Sequence, residues 1–342
     1  PSFMERTRNP ADERDLVGIA RPVRWGVLST ARIGAALVAG ARQTVAAEVV
    51  AVASRSAASA LAFARLHGIA RAHGCYEDLL ADPRVEAVYV PLPNAMHVDW
   101  TMRALRAGKH VLCEKPMDRR PARVAEAFDV AEAAGLVLAE AFMWRHNPQT
   151  AGVRELLDDG AIGDVRLVRA SFSFALAGDA DVRLDPALDG GALMDVGCYC
   201  VSAARLVAGE PLGVCAQAVM ASGVDMRMTG LLRFDGDVLA TIDCGFDLPA
   251  RDELEIAGSE GRILLDDPWH CRRPRIVLER GIEREVFKLR PVDSYRLELE
   301  DMSAAIRGER APLLGRADAL GQARTIEALY RSAAEGRAVT LG

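Results

Sequence analysis

A rhythm between residues 22 and 142 constrains this chain more than any other feature. The apolar runs "VRWGVLS" (23–29), "EVVAVAS" (48–54), "EAVYVPLP" (86–93), "HVLCEKP" (110–116) and "LVLAEAF" (136–142) read as strands. Between them, "ARIGAALVAG" (31–40), "AASALAFARLHG" (57–68), "YEDLLADP" (76–83), "NAMHVDWTMRALRAG" (94–108) and "RVAEAFDVAEAAG" (123–135) read as helices, with Gly68 and Gly108 as stops. Strands that are apolar throughout are buried on both faces. Alternating with helices, they predict a doubly wound α/β domain with a parallel sheet. Sheets of this kind bind ligands at the carboxyl ends of their strands. The expected functional segments are therefore 29–34, 53–55, 91–97 and 113–116.

After about residue 145 the period changes. "DVRLVRASFSFAL" (164–176) alternates like a half-buried strand, and "GGALMDVGCYCVSAARLVAG" (190–209) reads as a helix. Alternating runs flank Asp235-Gly236, a hairpin signal. Further strands are expected within 252–267 and 275–289, then two closing helices at 295–308 and 317–336. The prediction is a carboxy-terminal α+β domain with a large, mainly antiparallel open sheet. The domain reading is 1–21 as a loosely held extension, 22–142 as the first domain and 143–342 as the second, the last helix being free to pack back on the first. A chain of 342 residues has ample length for two cores.

The formal net charge of −6 provides no broad basic field, so nucleic acid and anionic membranes are not expected partners. No apolar run is read as reaching the ~20 residues of a membrane helix. The seven cysteines contain no C-x-x-C and the six histidines no ligand spacing, which predicts reduced thiols, no metal and a cytoplasmic protein.

The turn after the first strand raises a question. A dinucleotide site has G-x-G-x-x-G there. This chain has Ser29, Ala31 and Gly34, within the segment Ser29, Thr30, Ala31, Arg32 and Ile33. Taken alone, the motif fits an ordinary strand–helix junction equally well. Yet Ser and Ala are small, and a helix N-terminus attracts phosphate whatever precedes it. At the end of the second strand stand Ser54 and Arg55, with no carboxylate for a ribose. An Arg there suits a 2′-phosphate, which predicts NADP, with NAD as the weaker alternative.

"AVYVPLPNAMHVDWTMRALRAGKHVLCEKPMD" (87–118) is more specific. With "EAFMWRHNPQ" (140–149), "LLDDGAIGDVRLV" (156–168) and "GGALMDVGCYCVSAARLVAGEP" (190–211), it resembles the glucose–fructose oxidoreductase and inositol dehydrogenase (Gfo/Idh/MocA) family. The likeness is greatest to its NADP-dependent D-xylose dehydrogenase and dimeric dihydrodiol dehydrogenase branch. The resemblance covers about residues 23–340 and implies a Rossmann cofactor domain, so that Ser29–Ile33 becomes the cofactor turn. It also implies a cis Lys115–Pro116 bond.

The resemblance implies a site of Lys115, Tyr199 and Asp195. Lys115 would donate to the substrate oxygen, Tyr199 would act as general acid/base with its pKa lowered by Lys115 and by the oxidised nicotinamide, and Asp195 would bind sugar hydroxyls or position Lys115. Pro91, Leu92, Asn94, His97, Glu114, Lys115, Trp144 and Arg145 would join the turn residues, Ser54 and Arg55 around the cofactor. Trp144 would also border the substrate. The implied activity is NADP-dependent oxidation of an aldose at C1, with D-xylose the leading substrate. The alternatives are reduction of a keto- or anhydro-sugar, trans-dihydrodiol oxidation, and a non-catalytic NADP sensor. A partly apolar open sheet face predicts a homodimer or homotetramer.

Overall fold

The computed structural model describes residues 21–178 and 181–341. The expected extension at 1–21 lies outside the described residues, apart from Arg21.

The predicted strand–helix alternation folds into a six-stranded parallel sheet. Its elements begin with β1 (Val23–Leu28), α1 (Arg32–Ala41), β2 (Ala47–Ala53), α2 (Ala57–Leu66), β3 (Arg71–His73) and α3 (Tyr76–Ala81). They continue with β4 (Ala87–Val90), α4 (His97–Arg106), β5 (His110–Glu114), α5 (Pro121–Ala133) and β6 (Leu138–Ala141). The order β3-β2-β1-β4-β5-β6 places the topological switch between β1 and β4, where Ser29 and Pro91 lie and where such sheets take a dinucleotide.

The second domain carries α6 (Pro148–Asp158), β7 (Val165–Ala175), a π-helical turn at Leu193–Gly197 running into α7 (Cys198–Ala208), β8 (Gly213–Ala221) and β9 (Val224–Arg233). Then come β10 (Leu239–Gly245), β11 (Asp247–Gly258), β12 (Arg262–Leu265), β13 (Arg275–Arg280) and β14 (Glu283–Lys288). After α8 (Ser294–Ile306) and α9 (Arg316–Glu335), β15 (Val339–Thr340) completes a nine-stranded sheet. All its pairings are antiparallel except β7 with β10. The Asp235-Gly236 turn joins β9 to β10 as predicted.

The single helix expected over 190–209 is therefore two elements. The stretch Pro186–Ala208 is also long and apolar enough to cross a membrane by length and composition, which the sequence reading missed. However, 72% of that window is buried inside the protein. Leu193, Val196, Val201 and Ala204 pack there against Val168, Ala170, Ile242 and Leu254 of the sheet.

Both closing helices pack on the first domain. Leu299 and Met302 of α8 join Trp25, Tyr89 and Leu112 on one face of the parallel sheet. Ala319 and Ala323 of α9 join Val98, Val124 and Phe128 on the other. The two domains thus share a hydrophobic layer on each side.

The outer face of the large sheet is partly apolar and partly charged. It carries paired charges: Arg169–Glu255, Arg262–Glu279, Arg251–Asp243 and Arg284–Glu279. Alternation puts Val168 and Ala170 inward and Arg169 outward. Exposed apolar side chains are confined to places such as Met220, Leu231 and Leu239.

Candidate active site

The glycine question is resolved at Ser29. Its φ is +124°, the conformation for which a glycine is normally used. Serine holds the strained turn with its own hydroxyl, which donates to the Pro91 carbonyl (3.1 Å) and accepts from the Ala31 N–H (3.2 Å). The β1 turn is thereby tied to the β4 turn across the switch point. Ala31 is extended and opens α1. Gly34 packs closely, because a Cβ there would lie 3.3 Å from the Val27 side chain. Thr30, Arg32 and Ile33 lie at the α1 N-terminus, whose orphan N–H groups suit a phosphate.

Ser54 ends β2 with its N–H on the His73 carbonyl (3.1 Å), and Arg55 stands exposed beside it. Burial raises the pKa of the Tyr76 hydroxyl, and the Arg55 guanidinium close by pulls it back. A small residue in a glycine conformation, a helix N-terminus and an exposed guanidinium beside Tyr76 together fit a 2′-phosphorylated dinucleotide.

At the end of β5, Glu114 accepts from the Tyr89 hydroxyl and from the Lys115 N–H (3.1 Å). The carboxyl is thus held beneath the turn, and burial raises its pKa. The Lys115–Pro116 peptide is cis. The Lys115 ammonium donates to the Asp195 main-chain carbonyl at 2.7 Å and lies 3.5 Å from Asp195 Oδ1. It also sits 4.9 Å above the Tyr199 ring. Lys115, Asp195 and Tyr199, from two domains, therefore converge.

Burial alone would lower the pKa of Lys115. Cys198, Asp195 and Glu114 outweigh it, and the pKa is raised. Tyr199 departs from the expectation of a lowered pKa: burial, then Glu114, Cys198 and Asp195, hold it well above the ordinary phenol value. Desolvation beside carboxylates outweighs one ammonium that lies over the ring. Tyr199 packs edge-on against Phe142 (5.5 Å) and Phe172 (5.4 Å), and near Trp269 (5.9 Å).

Several expected neighbours have other positions. Trp144 is 1% exposed and packs edge-on against Trp269, one layer behind Tyr199, so it offers little surface to a ligand. Arg145 is buried between Ser202 and Asp318 (both 3.3 Å) and links α7 to α9. His97 is also buried, and its ring nitrogens meet the carbonyls of Leu92 (2.7 Å) and Pro116 (2.8 Å). It braces the two strand-end turns rather than facing a cofactor. Pro91 and Leu92 are buried in the β4 turn. Asn94 Nδ2 donates to the Asp189 carbonyl (2.8 Å) across the domain boundary.

The sequence reading missed Arg183. Its Nε donates to Asp195 Oδ2 at 2.6 Å. It also missed a cluster of Asp252, Asp267 and His270, whose candidate ligand atoms lie within 4.8 Å of one another. Those groups satisfy each other and the backbone: Asp252 Oδ2 contacts His270 Nδ1 (2.8 Å), and Asp267 accepts from the Arg272 and Arg273 N–H groups.

Comparison with known proteins agrees with this geometry. Residues 23–142 match the oxidoreductase family with an NAD-binding Rossmann fold, and residues 150–264 match the GFO/IDH/MocA C-terminal domain. The chain is 41% identical over 325 residues to a D-xylose 1-dehydrogenase (NADP(+)) of Haloferax volcanii, covering 93% of this chain and 99% of that one. It is 34% identical over 322 residues to a dTDP-3,4-didehydro-2,6-dideoxy-alpha-D-glucose 3-reductase of Actinomadura kijaniata, covering 92% and 96%. The crystal structure of KijD10, a 3-ketoreductase from that organism in complex with NADP and TDP-benzene, superimposes with a TM-score of 0.86 at 33% identity, covering 91% and 98%. Through both its domains, this chain belongs to the GFO/IDH/MocA family of oxidoreductases.

Proposed function

We propose that this protein is an NADPH-dependent reductase of a keto-sugar, interconverting C=O and CH–OH. One observation carries the reading: Lys115, whose ammonium lies 4.9 Å over the Tyr199 ring, and Tyr199 itself both have raised pKa values and stay protonated. Reducing a carbonyl creates an alkoxide that must be stabilised and then protonated. Lys115 offers the ammonium for the first task. Tyr199 offers the phenol proton for the second. Asp195 is an acceptor for a neighbouring sugar hydroxyl. When bound, the reduced nicotinamide supplies the hydride. Ser29–Ile33 would hold the pyrophosphate, Ser54 and Arg55 the 2′-phosphate, and the Pro91–Asn94 turn the ribose side. The likeness to the 3-reductase of A. kijaniata supports this direction of reaction.

A second reading is oxidation of an aldose such as D-xylose at C1. The full-length likeness to the Haloferax enzyme favours it. The test is NADPH consumption with a panel of keto-sugars, run beside NADP⁺ reduction with D-xylose at neutral pH. Faster keto-sugar reduction supports the proposal. Xylose oxidation without keto-sugar reduction would replace it with the second reading, and silence in both would remove both.

Arg55→Ala should weaken NADPH binding about 10–100-fold, the worth of charge-assisted hydrogen bonds to a phosphate, and leave NADH nearly unchanged. Fluorescence titration of each cofactor measures this. Equal losses for both would mean that Arg55 does not read the 2′-phosphate.

A homodimer through the large sheet also belongs to this reading. Rows of paired Arg and Glu are self-complementary under a twofold axis, and an association through them should weaken with salt. Seven free cysteines suit a reducing compartment such as the cytoplasm. A monomer by light scattering at low salt would remove the dimer.

A further inference from the structure

We infer that Arg183 is a positioning residue that keeps the Asp195 carboxylate away from Lys115, so that the ammonium is free to meet substrate. The inference rests on the role proposed for Lys115.

Asp195 lies between two cations. Lys115 takes its main-chain carbonyl at 2.7 Å but stays 3.5 Å from its nearer carboxylate oxygen. Arg183 takes the other carboxylate oxygen at 2.6 Å. A direct ammonium–carboxylate bond would close to about 2.7–2.9 Å if nothing opposed it. The two side chains are largely shielded, Lys115 being 13% and Asp195 21% exposed, so the attraction is weakly screened. A carboxylate engaged at Oδ2 cannot swing fully onto the ammonium.

The surrounding chain holds Arg183 in place. Its Nη1 is on Asp181 (3.1 Å), and its carbonyl accepts from the Gly191 N–H (2.9 Å). The segment 181–191 is fastened to the first domain through Asp189, which pairs with Arg119 (2.9 Å) and Arg120 (3.6 Å). Asn94 holds the Asp189 carbonyl. The segment thus fixes the guanidinium relative to both domains. Its positive charge also opposes that of Lys115.

The test compares Arg183→Met, Arg183→Lys, Asp195→Asn and the Arg183→Met/Asp195→Asn double variant. Arg183→Met should lower kcat about 10–100-fold, as a small misplacement at a reacting group does, with the NADPH dissociation constant unchanged. Arg183→Lys should recover part of that loss. In the Asp195→Asn background, removing Arg183 should cost little more, because no carboxylate remains to close on Lys115. Equal costs in both backgrounds would overturn the inference.

A second readout needs no turnover. Acetic anhydride labelling of Lys115 at fixed pH, quantified by mass spectrometry, should slow about three- to tenfold in Arg183→Met relative to wild type, and clearly less in the double variant relative to Asp195→Asn, where only the direct charge effect of Arg183 remains. Unchanged labelling would also overturn the inference. If the wild-type protein reduces no sugar, the functional reading fails, yet the labelling still decides the role of Arg183. Should Arg183→Met not fold, Arg183→Gln takes its place in every arm.

Discussion

Tyr199→Phe is expected to lower kcat for sugar reduction about 10²–10⁴-fold, the range a positioned general acid contributes. The ring remains, so its contacts with Phe142, Phe172 and Trp269 survive and the protein should fold as before. Only the proton is lost. The NADPH dissociation constant should not move, because the residues proposed to hold the nucleotide lie on the β1, β2 and β4 turns. The pH dependence follows from the direction of the shift. Tyr199 is held above the ordinary phenol value by burial and then by Glu114 and its other acidic neighbours. The acid form is therefore complete at neutral pH and is lost only as pH rises through that raised value. Wild-type reduction should stay level through neutral and mildly alkaline pH, because neither Tyr199 nor Lys115 loses its proton there. Steady-state kinetics across pH read both effects. A variant that keeps full kcat would take the acid role from Tyr199.

Gly191→Ala should be strongly destabilising to the second domain. Gly191 has a φ of +123°, and a methyl there would overlap the Asp225 carboxylate. Asp225 is 1% exposed and has two specific tasks. It accepts from the Leu193 N–H (2.7 Å), starting the helical segment that carries Asp195 and Tyr199, and from the Tyr330 hydroxyl on α9 (2.8 Å). Displacing it leaves buried polar groups without partners, at about 1–3 kcal/mol each, in addition to the backbone strain. A total of about 3–5 kcal/mol corresponds to a fall in Tm of roughly 4–7 °C for a chain of this size. Gly108→Ala is the control. Its φ is +75°, but nothing lies within 4 Å of an added Cβ, so it should cost only the conformational strain. Equal Tm losses for the two variants would refute the packing argument.

Much of the fold could be read from short-range pattern. Alternation of apolar runs and amphipathic stretches is a local property, and it determined the parallel sheet. The hairpin at Asp235-Gly236 is local in the same sense. The single-helix reading over 190–209 was too simple, because apolar periodicity does not distinguish a π-helical turn from an α-helical one. The expectations for Trp144 and His97 shared one weakness. A residue next to a site in sequence can face the core, and both do.

By itself, the sequence determined the parallel sheet followed by the mainly antiparallel one, and it singled out Lys115, Asp195 and Tyr199 as the groups to watch. Those features lie within single elements, where a period of two or 3.6 residues and a few turn residues decide the outcome. Only the tertiary structure decided what those groups do to one another. Lys115 and Asp195 are 80 residues apart in the chain, and they meet because α8 and α9 clamp the second domain onto the first. Whether Tyr199 is an acid or a base depends on how deeply it is buried and on Glu114, Cys198 and Asp195 beside it. Desolvation and Coulomb interactions act through space, and a linear pattern carries no record of those distances.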